Sequence, residues 1–152
     1  MLREKLKKQL VEAMKSKNDA VVSTIRLINA AIKQKDIEAR PGGNTEGIDD
    51  AAILSLMQSM IKQRRESIDM YTKGGRPELA AAEQSEIDVI QTFLPQQMSE
   101  EEMKKAIDET IASTGASGIK DMGKVMGALR GKYAGQMDFG AASNLIKQIL
   151  AG

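Results

Sequence analysis

The chain has no cysteine, no histidine and no tryptophan, and only four aromatic residues in 152. Without cysteine it can form no disulfide, no thiolate metal site and no thiol nucleophile. Without histidine it lacks the commonest general base and the commonest metal ligand, so a Ser-His-Asp relay is ruled out. Charge of one sign is not in excess either: 22 Lys and Arg face 21 Asp and Glu, a net of +1. That balance does not mark a strongly basic nucleic-acid protein. No apolar run approaches membrane-spanning length, and MLREKLKKQL has no apolar stretch of signal-peptide size. The expectation is a cytoplasmic protein with no membrane partner, no cofactor and no metal.

What is abundant is helix former. Ala, Lys, Glu, Gln, Met, Leu and Ile dominate, with ten Met to fill the core where aromatics are missing. The predicted fold class is all-α. Leu2, Leu6, Leu10 and Met14 mark a first helix. A turn at Ser16–Asp19 precedes a second, with Val22, Ile25, Ile28 and Ile32 on one face. Asn18 or Asp19 is its N-cap. Residues 1–40 hold ten Lys/Arg against five Asp/Glu. RPGGNTEG at residues 40–47 reads as a mobile loop with no apolar anchor. Asp49 or Asp50 then caps a third helix on Ile53, Met57, Met60, Ile61, Ile68 and Tyr71. Gly74-Gly75 ends it. Pro77 opens a fourth, carrying Leu79, Ile87, Ile90, Phe93 and Leu94.

The pattern breaks at Pro95. A domain boundary there gives a four-helix N-terminal domain, residues 1–95, and a three-helix C-terminal domain, residues 96–152. Ser99 and Glu102 form a capping box for the fifth helix, on Met103, Ile107 and Ile111. Asp121 caps the sixth. Asp138 caps the seventh, with Phe139, Ala142, Leu145, Ile146 and Ile149.

Two constellations stand out. Arg64 falls on the apolar track of the third helix. Folding about Gly74-Gly75 sets it level with Glu86, with Glu83 on the same track of the fourth helix. That predicts a polar layer of Arg64, Glu83 and Glu86, structural in role. The other is DMGKVMGALRGKYAGQMD at residues 121–138, with Gly123, Gly127, Gly131 and Gly135 four apart. Residues four apart share a helix face. A face without side chains fits either a tight helix–helix contact or close approach of a phosphate backbone, with Lys124, Arg130 and Lys132 beside it. No Walker loop, dinucleotide fingerprint or Ser/Lys amidase signature is present, so no catalytic residue is assigned.

IKQRRESIDMY, GGRPELAAAEQSEI, FLPQQMSEEE and KDMGKVMGALRGKYAGQMD, in this order and spacing, resemble the YqeY-like proteins. From about Met98 the chain is also similar to the tail domain of GatB, a component of the glutamyl/aspartyl-tRNA amidotransferase. That likeness rests on Gly123, Val125, Met126, Gly135, Asp138, Leu145, Ile146 and Lys147. Gln136 stands where that tail tends to have a basic residue. The resemblance implies four helices followed by three, and a tail that contacts the body of tRNA. For such a contact the candidate residues are Lys120, Lys124, Arg130, Lys132 and Lys147, with Gly123, Gly127 and Gly131 permitting close approach. The family label, carbon–nitrogen ligase with glutamine as amido donor, implies one alternative, and the Met-rich helix faces allow another. One is assistance to amide transfer within a larger complex. The other is a protein-interaction module, whose partner belongs to the amidotransferase or translation machinery.

Overall fold

The computed structural model describes residues 1–151, and the described residues contain helices, turns and no strand. They divide into two compact units, Met1–Pro95 and Gln96–Gly152.

The first unit holds α1 (Leu2–Lys15), α2 (Asp19–Ala39), α3 (Asp50–Lys73) and α4 (Pro77–Gln91). Its core is almost entirely Ile, Leu and Met: Leu6, Ile25, Ile28, Ile32, Ile53, Met57, Met60, Ile61, Ile87 and Ile90, closed by Phe93. Asn18 is the N-cap of α2, accepting from the Val21 amide at 3.3 Å. Asp49 caps α3, accepting from the Ala52 amide at 2.9 Å. Gly75, at φ +70, turns the chain between α3 and α4, and the Arg76 amide reaches back to the Tyr71 carbonyl at 2.8 Å.

Three expected core positions are exposed instead, Met14 and Leu79 in this unit and Ile149 near the end of the last helix of the second. Met14 is turned outward and Ala13 takes its place in the core. Each step of four residues drifts about 40° round a helix of 3.6 residues per turn. Three such steps from Leu2 carry Met14 off the buried face. Leu79, two residues into α4, lies at the turn end of the α3–α4 hairpin and stays exposed there.

The loop after α2 is also tied down more firmly than its composition indicates. Arg40–Gly42 forms a 3₁₀ turn. Asn44 accepts through its side chain from the Glu46 and Gly47 amides and donates to the Gly47 carbonyl. Arg3 of α1 donates to both oxygens of Asp36 at 2.7 and 2.9 Å, and to the Ile48 carbonyl at 2.9 Å. Asp36 also accepts from the Ile48 amide at 2.8 Å. A polar clamp thus replaces the missing apolar anchor.

The second unit holds α5 (Glu100–Thr114), a 3₁₀ turn at Ile119–Asp121, α6 (Met122–Tyr133) and α7 (Phe139–Ala151). The Ser99/Glu102 capping box is present in both directions. Met103, Ala106, Ile107, Val125, Met126, Leu129, Met137, Ala142 and Ile146 form its core.

Candidate functional site

In the second unit, burial of α6 is confined to one side. Val125, Met126 and Leu129 are 0–8% exposed and pack on α5 and α7. The opposite side carries Gly123, Lys124, Gly127, Ala128, Arg130, Gly131 and Lys132, all exposed. α6 has no acidic residue. A methyl group placed on Gly123, Gly127 or Gly131 would meet nothing within 4 Å. The stripe is therefore open, and among the described residues of this unit the helix–helix contact that its spacing allowed does not occur. Gly135 does not extend it. α6 ends at Tyr133, and Gly135 sits in the following turn at φ +77, buried, where a side chain would be strained.

The turns at either end of α6 are fixed by hydrogen bonds from backbone amides. Asp121 precedes the helix but caps the loop, not the helix: its carboxylate accepts from the Ser117 amide at 3.0 Å and makes no cap bond to α6. That amide holds the Asp121 carboxyl below the usual carboxylate range, with smaller help from the Gly118 amide, Lys120 and Lys124. After α6, the Gln136 carbonyl accepts from the Met98 amide at 2.8 Å. Asp138 opens α7 by accepting from the Gly140 and Ala141 amides at 3.0 and 3.2 Å.

The basic residues divide by element. Lys120 is in the 3₁₀ turn, Lys124, Arg130 and Lys132 are on α6, and Lys147 stands exposed on α7. At about 100° per residue, Arg130 and Lys124 border the bare strip on opposite edges, and Lys132 falls further round. Arg130 lies over the Phe139 ring at 5.9 Å and Lys132 over the Tyr133 ring at 5.4 Å. Both rings hold a cation at the surface without neutralising it. Among the described residues no carboxylate forms an ion pair with any of the five. The two aromatic supports were not anticipated from sequence. Phe139 read as a core residue, and its approach to Arg130 depends on the turn between α6 and α7.

The other constellation lies in the first unit. Arg64 Nε donates to Glu86 Oε2 at 2.7 Å, and Nη1 donates to the Met60 carbonyl at 3.1 Å. The Arg64 side chain is 15% exposed and that of Glu86 32%. Glu83 is half-buried and makes no ion pair with Arg64. Two of its five N–H donors are engaged within the chain, and the geometry is that of a pin between α3 and α4. Among the described residues there is no cluster of three or more carboxylates suited to a metal ion, and no helix long and apolar enough to cross a membrane.

Comparison with known proteins bears on the whole chain. The family model for YqeY-like protein matches residues 3–150. Curated relatives include "Altered inheritance of mitochondria protein 41, mitochondrial" from Eremothecium gossypii, 38% identical over 89 residues, which cover 59% of this chain and 46% of that protein. The protein of the same name from Pyrenophora tritici-repentis is 30% identical over 133 residues, covering 84% of this chain and 71% of that one. "Uncharacterized protein C22F3.15" from Schizosaccharomyces pombe is 29% identical over 94 residues, 62% and 72% of the two chains. The matched stretch spans about half the length of the first of these relatives.

Proposed function

The chain belongs to the YqeY-like protein family, and from that premise we propose that it is a tRNA-binding accessory module, with the outward side of α6 as its contact surface. The observation that carries this reading is the open strip of Gly123, Gly127 and Gly131, bordered by unpaired Lys124 and Arg130 with no acid on the helix. Three helical glycines forgo about 1 kcal/mol each relative to alanine. Among the described residues of this unit no close packing offsets that cost. A sugar–phosphate backbone lying on the strip makes use of it, because it can come within reach of the helix surface while the cations neutralise its charge. The likeness to an amidotransferase tail that contacts the body of tRNA points to the same class of ligand. Recognition is by shape, since four aromatic residues in the whole chain leave few platforms for stacked bases.

The relatives named for altered inheritance of mitochondria fit this reading in either compartment, as cytoplasm and mitochondria both hold tRNA. Assistance to amide transfer and a pure protein-docking role are the competing functions. Glutamine turnover by the isolated protein would favour the former, and a stoichiometric protein partner without RNA the latter.

The test is titration of tRNA into the full chain over a salt series. Each neutralised phosphate contributes about 0.7–0.9 to the slope of log affinity against log salt, so four or five contacts give a slope of roughly 3 to 4.5. Lys124→Glu with Lys132→Glu should flatten that slope and weaken binding while the helical content is unchanged. No tRNA affinity at low salt above that of a protein of neutral surface would overturn the reading.

A further inference from the structure

α2 is buried on one side by Ile25, Ile28 and Ile32. On its outer side runs a second line: Ala20, Ser23, Leu27, Ala30, Gln34 and Ile37. All six are exposed, Leu27 by 43% and Ile37 by 49%. The steps between them alternate three and four, the spacing of a coiled-coil seam. No charged residue falls on the line along five turns. The charges stand beside it at Asp19, Arg26, Lys33 and Arg40, each seven residues from the last. Arg40 lies just past the helix but keeps helical angles, φ −59 and ψ −45. A helix needs one apolar side to join its own core; this one carries in addition an uncharged line, with Leu27 and Ile37 exposed on it, that its own unit leaves uncovered among the described residues.

We propose that the second side is a homodimer interface in which α2 packs antiparallel on α2 of another copy. The occupant is identified by self-complementarity. In one antiparallel register Ala20 faces Ile37 of the other copy, Ser23 faces Gln34 and Leu27 faces Ala30. Small meets large, polar meets polar and large meets small, with every seam residue used and each pair made twice by the two-fold axis. The neighbouring antiparallel register, with Ala20 on Ala30, leaves Gln34 and Ile37 without partners. A parallel in-register pair sets alanine on alanine at two layers and leaves voids there. In the favoured register Asp19 comes beside Arg40 of the other copy, an attraction made twice. Arg26 comes beside Lys33, a repulsion made twice. The dimer is therefore weak, and the like charges at its centre set its strength.

That repulsion gives the proposal a signature which a general loss of solubility would not mimic. Sedimentation velocity of the full chain over a concentration series should show a monomer–dimer equilibrium. Leu27→Glu should abolish the dimer. Arg26→Glu converts both central repulsions into attractions and should tighten it by at least about threefold, since exposed pairs each contribute 0.2–1 kcal/mol. Asp19→Arg should weaken it, and adding Arg40→Asp should restore it. Circular dichroism checks that each exposed-site variant stays folded. The register is read separately by crosslinking, because the chain has no native cysteine. Mixed under oxidation, Ser23→Cys and Gln34→Cys chains should form the heterodisulfide, and neither should form its homodisulfide. A chain that remains monomeric at all concentrations overturns the proposal. So does a dimer indifferent to Arg26→Glu, or one crosslinked through Ser23→Cys alone.

Discussion

A carboxylate that accepts from both prongs of a guanidinium and from a backbone amide must give up those bonds to take a proton. Asp36 is in that position, between Arg3 and the Ile48 amide. The Arg3 hydrogen bonds hold its carboxyl below the ordinary range, with the Ile48 amide next in size. In the unfolded chain the group titrates near pH 3.9. As pH falls, the unfolded state protonates first, so the clamp's contribution is fully present above about pH 4 and is lost as pH drops through the lower folded value. Asp36→Asn should therefore lower stability at pH 7, and its deficit against wild type should shrink toward pH 3 in urea titrations. Gly47 reports on the same clamp. It lies at φ +101, and a methyl group there would stand 2.7 Å from Arg3 Nη2 and 2.9 Å from Asp36 Oδ1. Gly47→Ala should cost about 1–2 kcal/mol for the left-handed backbone alone, and should reproduce the flattened acid profile of Asp36→Asn. A Gly47→Ala protein with unchanged acid sensitivity would show that the clamp tolerates the methyl group. None of this is legible in sequence: Arg3, Asp36 and Gly47 are far apart along the chain, and nothing local in any of them points to the others. The Arg64–Glu86 contact was legible, because one short turn at Gly74-Gly75 sets the level of the two helices. The absence of Glu83 from that contact was not, since a track gives a face and not the rotamers on it.

At the scale of the element, helix boundaries followed from caps and breakers: Asn18, Asp49, Ser99 and Asp138 each accept from amides of the first turn. α6 shows the limit of such reasoning. A repeat of four marks a face but not what lies against it, and the same glycines suit a buried crossing and an open strip. The tertiary structure decides, because only it shows empty space beside Gly123, Gly127 and Gly131. The two cases differ in a measurable way. Were the strip a packed contact, Gly127→Leu would overpack the core and cost about 1–3 kcal/mol. On an open helix surface it removes a poor helix former, and the variant should melt at or above the wild-type temperature. If the strip also receives a phosphate backbone, that stable protein should bind tRNA more weakly than wild type. A destabilised Gly127→Leu protein would contradict the open geometry. A stable one with undiminished tRNA binding would leave the strip intact and remove its proposed purpose.

Across the whole molecule, the apolar residues fall into two clusters with no member in common, one on each side of Pro95. Within the first unit α4 packs on α2 and α3, and α1 on α2; within the second, α5, α6 and α7 pack on one another. Cores separated in this way imply separate cooperativity, which is a stronger statement than compactness. The second unit is the harder case. At roughly 57 residues, a chain buries only about 60% of the surface it exposes when unfolded, and α6 adds the propensity cost of its exposed glycines. It is compensated by a two-way capping box, by the Asp138 bonds to α7 and by the bonds that the Gln97 side-chain amide and the Met98 backbone amide donate to carbonyls of the α6–α7 turn. Those last bonds fix where a fragment must begin. One starting at Leu94 keeps Gln97 and Met98 and should melt cooperatively as a helical domain. One starting at Ser99 loses the ties to Gly135 and Gln136 and should melt at a lower temperature. A fragment of residues 1–95 should fold with the acid profile of the intact chain, since the Arg3–Asp36 clamp lies wholly within it. Melts of the three fragments beside the full protein check this. If neither the longer C-terminal fragment nor the N-terminal one gives a cooperative transition, the two cores depend on each other, and RNA binding by the second unit would have to be measured only in the full chain.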